Sequence, residues 1–457
     1  MVDRQNSVNS NSFDGQLVRA PWMYRQWMLA GNPAYFFDRL VNDFGDFVHC
    51  RGLFDFYLVN HPSLVKQVLQ DTHTSFDKNS LIYDRFRVAF GGGLVVAEGQ
   101  PWKRRRKSMQ PSFGPTTIQH FFDLMVHATD RMTDQWDQDY QEAVAFDIAK
   151  EMNKLTLQIA GRALFSNGFD SASERISHWT QIINHYVAKP PLPIIRSSWF
   201  PSRTNFRFFR ALDEFHTFLK QMISDRQDAA GHHDLLSMLM AAGNLGSDDD
   251  PPMTDLEIVE ETLGMIIGGH ETSSSALTWI WYELQQNPAI QQRLHDELDQ
   301  VIGNREIQLS DLPKLKFVRM IIEEALRLHP PFWFENRNAM TDVTLGGATL
   351  PMGSMVVFSR YSLHRHEQFW ENPDSFNPNR FDPENMENNR STYATVPFGG
   401  GPRICIGIHF AMMELTVAVS SIAKRFEVII DESNRHRMAA HLTMTPKHGL
   451  RVRLKRR

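Results

Sequence analysis

Phe398-Gly399-Gly400-Gly401-Pro402-Arg403-Ile404-Cys405-Ile406-Gly407 is the stretch of this 457-residue chain on which its fold and chemistry turn. Three glycines and a proline suit neither a helix nor a strand. They suit a tight loop whose backbone comes close to another group. The residues that follow read as an apolar helix from about Ile406 to Phe426, which puts Cys405 at its amino end, where backbone N–H groups favour a thiolate. With no His or Cys neighbour, Cys405 does not read as part of a tetrahedral zinc site; it reads as a single protein ligand to a macrocycle-bound metal. Arg403 supplies a cation two residues away for a carboxylate. A lone cysteine behind a glycine turn is more commonly a buried, inert thiol. The full pattern Phe-x-x-Gly-x-Arg-x-Cys-x-Gly shifts that balance, because five positions out of ten are fixed in type.

Working outward, the composition sets limits. With 42% hydrophobic residues the chain can bury a large core, and a formal net charge of -5 gives no global attraction to nucleic acid or anionic membrane. Two widely spaced cysteines, Cys50 and Cys405, point to a reducing compartment. The polar start of the chain lacks a signal-peptide core, and no window reaches the ~18 apolar residues of a membrane span. The expected location is the cytoplasm.

Helical periodicity dominates. Pro33 to Phe44 reads as an amphipathic helix, Asp46 to Asn60 as a hairpin, and His61 to Leu69 as a helix with Pro62 in its first turn. Helices fill Pro101 to Ser224 apart from a break at Lys189-Pro190-Pro191-Leu192-Pro193, and an acidic loop ends at Asp250. Thr254 and Glu257 form a capping box that opens a long helix, stopped near Asn287 by Pro288. Further helices cover Pro288 to Val301 and Lys314 to Leu328, and β-prone pieces lie between Thr341 and Phe358. The expectation is one mainly α domain over 16–457 with a small segregated β region, preceded by a disordered tail at 1–15.

The cysteine loop resembles the heme-binding signature of the cytochrome P-450 superfamily, in its soluble bacterial-like form, and three further signatures follow the family's order. Glu324-Ala325-Leu326-Arg327 is similar to its Glu-x-x-Arg helix, and Arg380 in Phe376-Asn377-Pro378-Asn379-Arg380-Phe381 matches the arginine that joins that pair; Asn379 departs from the Glu common there. Trp102-Lys103-Arg104-Arg105-Arg106 resembles its Trp-x-x-x-Arg helix. The i and i+4 spacing puts Trp102 and Arg106 on one face, and the resemblance makes them heme-propionate partners together with Arg337. The rest of the Lys103–Lys107 run is either a solvated face or part of a docking patch for an acidic donor. Gly268-Gly269-His270-Glu271-Thr272 is similar to the family's oxygen-activation motif. Two glycines and a carboxyl in an apolar helix act against stability, which itself points to function. Taken alone, the segment would read as a kink with the Thr272 hydroxyl bonded to the carbonyl four residues back.

The resemblance implies a long central helix over heme b, with the iron ligated by Cys405 and Phe398 and Arg403 also at the cofactor. Glu271 would relay protons, Thr272 would hold the activated oxygen or a water, and Glu324, Arg327 and Arg380 would form a structural brace. The chain itself carries no flavin or NAD(P) motif, so electrons would come from a ferredoxin- or flavodoxin-type donor with its reductase. By family position the pocket draws on Tyr83, Phe86, Phe90, Ile267, Gly268, Phe332, Trp333, Phe334 and Leu442, which implies an apolar substrate such as a fatty acyl chain or a terpenoid. Three alternatives stay open: a peroxide-driven peroxygenase, a heme isomerase or dehydratase, and a non-catalytic heme sensor or carrier. His270-Glu271 is no zincin, because position 274 is Ser274. His232-His233 and His364-Arg365-His366 read as surface histidines, and Gly91-Gly92-Gly93 lacks the lysine of a phosphate loop.

Overall fold

A computed structural model describes residues 12–21, 32–52, 55–139, 144–166, 172–188, 202–225, 234–244, 252–384, 391–431 and 437–457. Seven helices carry the residues of interest: α1 (Leu81–Phe90), α2 (Gly99–Met109), α3 (Ile148–Phe165), α4 (Ser173–Ala188), α5 (Asp255–Gln286), α6 (Lys316–Leu328) and α7 (Ile408–Arg425). The strands of the largest sheet are β1 (Val18–Ala20), β2 (Phe47–Cys50), β3 (Phe56–Val59), β4 (Phe76–Asp77), β5 (Phe334–Ala339) and β6 (Met355–Ser359). The chain divides into two units, Met1–Ser80 with Glu323–Cys405, and Leu81–Ile322 with Ile406–Arg457.

The first unit is built on the six-stranded sheet, in the order β1-β2-β3-β6-β5-β4. β2 and β3 form the expected antiparallel hairpin. β6 joins β3 in parallel and β5 antiparallel, so Glu335 stands opposite Phe358 and Arg337 opposite Val356. The strand β5 was not expected, since Phe-Glu-Asn-Arg-Asn-Ala carries too many polar groups for an ordinary core strand. Of the expected tail, residues 1–11 lie outside the described residues. Phe13 sets its ring edge-on to Phe47 at 6.1 Å, and its N–H donates to Ser63 Oγ.

The second unit is helical. Thr254 Oγ1 accepts from the Glu257 N–H while the Glu257 carboxylate accepts from the Thr254 N–H, so α5 starts at the expected capping box, and it ends at Asn287. α5 runs 32 residues without a break through Gly268 and Gly269. A short antiparallel pair, Met438–Ala440 with Met444–Pro446, brackets Leu442. Met444 O accepts from Ser275 Oγ and from Trp279 Nε1, which pins this turn to α5. The Lys189–Pro193 break, His232-His233 and residues 245–251 of the acidic stretch lie outside the described residues. His364 corrects one expectation. It is fully buried, its Nδ1 bonded to Arg327 O at 3.1 Å and its Nε2 to the Val396 N–H at 2.8 Å. Among the described residues no helix is long and apolar enough to cross a membrane.

Candidate active site

In the first unit the cysteine loop is closed on itself. The Cys405 N–H donates to Phe398 O at 2.9 Å and the Gly399 N–H to Val396 O at 2.9 Å, with a 3-10 turn over Gly401–Arg403 between them. Gly401 has φ +63°, and a Cβ there would stand 1.9 Å from Leu69 O, so only glycine fits. Cys50 is buried, whereas Cys405 is exposed just ahead of α7. Phe398 and Arg403 are half-buried.

Glu324, Arg327 and Arg380 meet. Glu324 is fully buried; it accepts from Arg327 Nε at 2.7 Å and Nη2 at 2.8 Å, from Arg380 Nε at 3.3 Å and from the Asn377 N–H at 2.8 Å. Arg327 spends its other donors on the carbonyls of His364, Pro373 and Ser375. The buried charges are thus paired and hydrogen-bonded, the condition under which such a cluster is stable. Arg337 is buried and ion-paired to Glu335, which also takes Arg360. Burial pushes the Glu335 carboxyl up, but Arg337 and Arg360 outweigh it and hold the group at about 2. Trp333 is buried beside Phe37, while Phe332 and Phe334 are half-buried and stacked on each other at 6.3 Å, with Phe334 also stacked on Phe37 at 6.4 Å.

In the second unit Trp102 and Arg106 lie half-buried on α2. Arg104 and Arg105 between them turn inward, which settles neither on a solvated face nor on a docking patch for those two side chains. Arg105 donates to Glu261 Oε1 at 2.6 Å and to Glu257 Oε1 at 3.1 Å, and Arg104 pairs with Glu257. The Leu94 N–H donates to Glu261 as well, at 2.9 Å, fastening the Gly91–Gly93 turn to α5. α1 carries Tyr83, Phe86 and Phe90, all buried and in ring contact. Its Arg85 bonds Tyr186 O on α4 at 2.9 Å.

Consecutive residues of α5 diverge by about 100°, and this separates His270 from Glu271. His270 is buried against α3: its Nδ1 bonds Ile266 O at 2.7 Å and its carbonyl accepts from Thr156 Oγ1, and burial pushes the ring down to about 4. Glu271 instead has the Asn184 amide of α4 as its polar neighbour, and burial raises its carboxyl to about 7. Thr272 Oγ1 donates to Gly268 O at 2.7 Å, leaving the hydroxyl oxygen as an acceptor. Gly268 is exposed, Ile267 and Leu442 are buried, and a Cβ on Gly268 or Gly269 would meet open space.

Sequence reasoning missed Glu414 on α7. It is fully buried, both its oxygens lack a hydrogen-bond partner among the described residues, and burial raises its carboxyl to about 8. Ser273 is near enough to lower the carboxyl slightly but makes no bond of ordinary geometry with it. The signal was present: a carboxyl inside Ala411-Met412-Met413-Glu414-Leu415 is the same anomaly that marked Glu271.

The donor set fits a heme-thiolate group. Among the described residues there is no cluster of three or more His, Cys, Asp or Glu able to bind a metal ion; a heme would ask the protein for one thiolate and supply the other ligands from its own ring. A single exposed sulfur on a rigid loop meets that need.

Comparison with known proteins agrees. The family description "Cytochrome P450" matches residues 17–453. The chain is 34% identical to cyclooctatin synthase of Streptomyces melanosporofaciens, over 84% of this chain and 83% of that one. It is 31% identical to cyclooctat-9-en-7-ol 5-monooxygenase of the same organism, over 90% and 86%. It is 30% identical to pentalenene oxygenase of Streptomyces avermitilis, over 95% of each. With the cysteine loop, the Glu324–Arg327–Arg380 cluster and a match across nearly its whole length, the chain belongs to the cytochrome P450 family and is a monooxygenase of that family.

Proposed function

We propose that this chain inserts one oxygen atom from O2 into an apolar small molecule, a terpenoid skeleton or a fatty acyl chain, with Cys405 as the thiolate ligand of heme b. The observation that carries the reading is the exposed Cys405 sulfur on a loop closed by its own N–H to Phe398 O. Trp102, Arg106 and Arg337 are the residues for the heme carboxylates, and Phe398 and Arg403 belong to the loop that carries the ligand. When bound, the heme supplies oxygen activation, favoured by the electron density that a thiolate donates.

The chain's own residues supply the rest. Glu271, raised to about 7, holds a proton near neutrality, where a group best takes up and gives up protons. Thr272 Oγ1, committed as a donor to Gly268 O, presents an acceptor to a proton or a water. Phe86 and Phe90 in one unit, and Phe332 and Phe334 in the other, supply the aromatic surface that favours an apolar ligand. The named substrate of one relative, cyclooctat-9-en-7-ol, supports a small carbon skeleton of this kind. Electrons come from a ferredoxin or flavodoxin with its reductase, in the cytoplasm. The test is the ferrous–CO spectrum of purified holoprotein, together with O2-dependent product formation from a library of apolar compounds. A thiolate-type band in the wild type and its loss in Cys405→Ser are expected, and a Cys405→Ser protein that keeps that band overturns the reading.

A further inference from the structure

Arg360 is buried to 3% exposure at the end of β6, and nothing in the chemistry above uses it. Its backbone N–H donates to Trp333 O at 2.7 Å, and its Nη1 donates to Phe332 O at 3.0 Å. The guanidinium also lies 5.5 Å from the centre of the Phe332 ring. In the other direction its Nε donates to Val396 O at 2.8 Å. Val396 O takes the Gly399 N–H as well, and the Val396 N–H is held by His364 Nε2, so both backbone polar groups of Val396 are fixed. Phe398, two residues on, accepts from the Cys405 N–H. A Cβ on Gly399 would lie 3.6 Å from Arg360 Nη2, so the loop passes directly beside the guanidinium. Glu335 balances the charge through Nη2 and holds Arg337 with its second oxygen.

A buried cation is retained only where its charge and its donors are all answered. Here the answers come from two separate segments, the aromatic turn and the cysteine loop, and a planar fork with fixed donor directions is suited to joining them. We propose that Arg360, charge-balanced by Glu335, is a positioning residue that fixes the Val396–Cys405 loop against the Phe332–Phe334 turn and so keeps the Cys405 sulfur in ligating position. The proposal rests on the reading of Cys405 as the heme ligand.

The experiment compares purified wild-type holoprotein with Arg360→Met, Arg360→Lys and Glu335→Gln. Heme content, thermal unfolding and the ratio of thiolate-type to thiol-type ferrous–CO bands are measured on the same samples. Arg360→Met is expected to lose most of the thiolate-type band. Arg360→Lys, which keeps charge but not the fork, and Glu335→Gln, which strands two arginines, are expected to lose part of it. A role in folding alone would lower the yield of holoprotein and leave the band ratio of the surviving protein unchanged, and that result overturns the proposal. Should Arg360→Met not accumulate, the ratio in Arg360→Lys decides in the same way. Absence of a thiolate-type band in the wild type refutes the assignment of Cys405 instead, so the two failures are distinguishable.

Discussion

The Glu271 carboxyl on α5 lies beside the Asn184 side-chain amide on α4, yet no hydrogen bond of ordinary geometry joins them, and Asn184 Nδ2 and Oδ1 both lack a partner among the described residues. A buried amide left in that state costs about 1–3 kcal/mol. Burial raises Glu271 and Asn184 lowers it; among the described residues no charged group acts on it. Product formation is therefore expected to fall as pH rises through about 7, where Glu271 loses its proton. Asn184→Leu removes the group that lowers the carboxyl, so the falling limb should move to higher pH. In a Glu271→Gln background the Asn184 substitution should no longer matter. A pH profile identical in wild type and Asn184→Leu counts against the pairing.

Thr272 donates its hydroxyl hydrogen to Gly268 O, so its oxygen is available only as an acceptor. Thr272→Ala should divert reducing equivalents to peroxide, and Thr272→Ser, which keeps the hydroxyl, should retain most coupling. Peroxide formed per NAD(P)H consumed, with a reconstituted donor, is the measurement.

Glu414 gives a stability prediction. Its carboxyl is raised from 4.5 to about 8 by burial, so the folded state binds the proton more tightly than the unfolded state. The sign follows: stability is highest below 4.5, falls as pH rises toward about 8 and then levels off. Within that window each pH unit removes about 1.4 kcal/mol. Glu414→Gln should flatten this part of the curve, as thermal unfolding across pH will show. At neutral pH, where the wild-type group is mostly protonated, the substitution should cost little.

Gly401 combines a positive φ with an approach to Leu69 O that no side chain survives. Gly401→Ala should cost at least about 2 kcal/mol, from backbone strain and displacement of the loop. Differential scanning calorimetry and heme retention after desalting check this.

Much of this architecture was legible in the sequence because its signals are local. The Thr254–Glu257 capping box and Pro288 bounded the longest helix, and the glycines around Cys405 announced a turn that the structure closes at Phe398. Glu324 and Arg327, three apart on one helix, were readable as a pair. What escaped was set by partners distant in sequence. Glu335-Asn336-Arg337 looked too polar for a core strand because Arg360, which makes that strand tolerable, comes 25 residues later. His364 looked like a surface residue because nothing local reveals that Arg327 and Val396 enclose it. Asn184 gave no sequence signal at all, since an isolated amide in an amphipathic helix is ordinary.

The inward turn of Arg104 and Arg105 bears on how this molecule looks to a charged visitor. Five consecutive cations at 103–107 suggest a strong positive beacon, but two of them are spent on three carboxylates, Glu257, Glu260 and Glu261. The exposed members are Lys103 and Lys107, with Arg106 half-covered. Long-range attraction at this helix should accordingly be feeble, and adding salt should slow an acidic protein's arrival far less than five exposed charges would require.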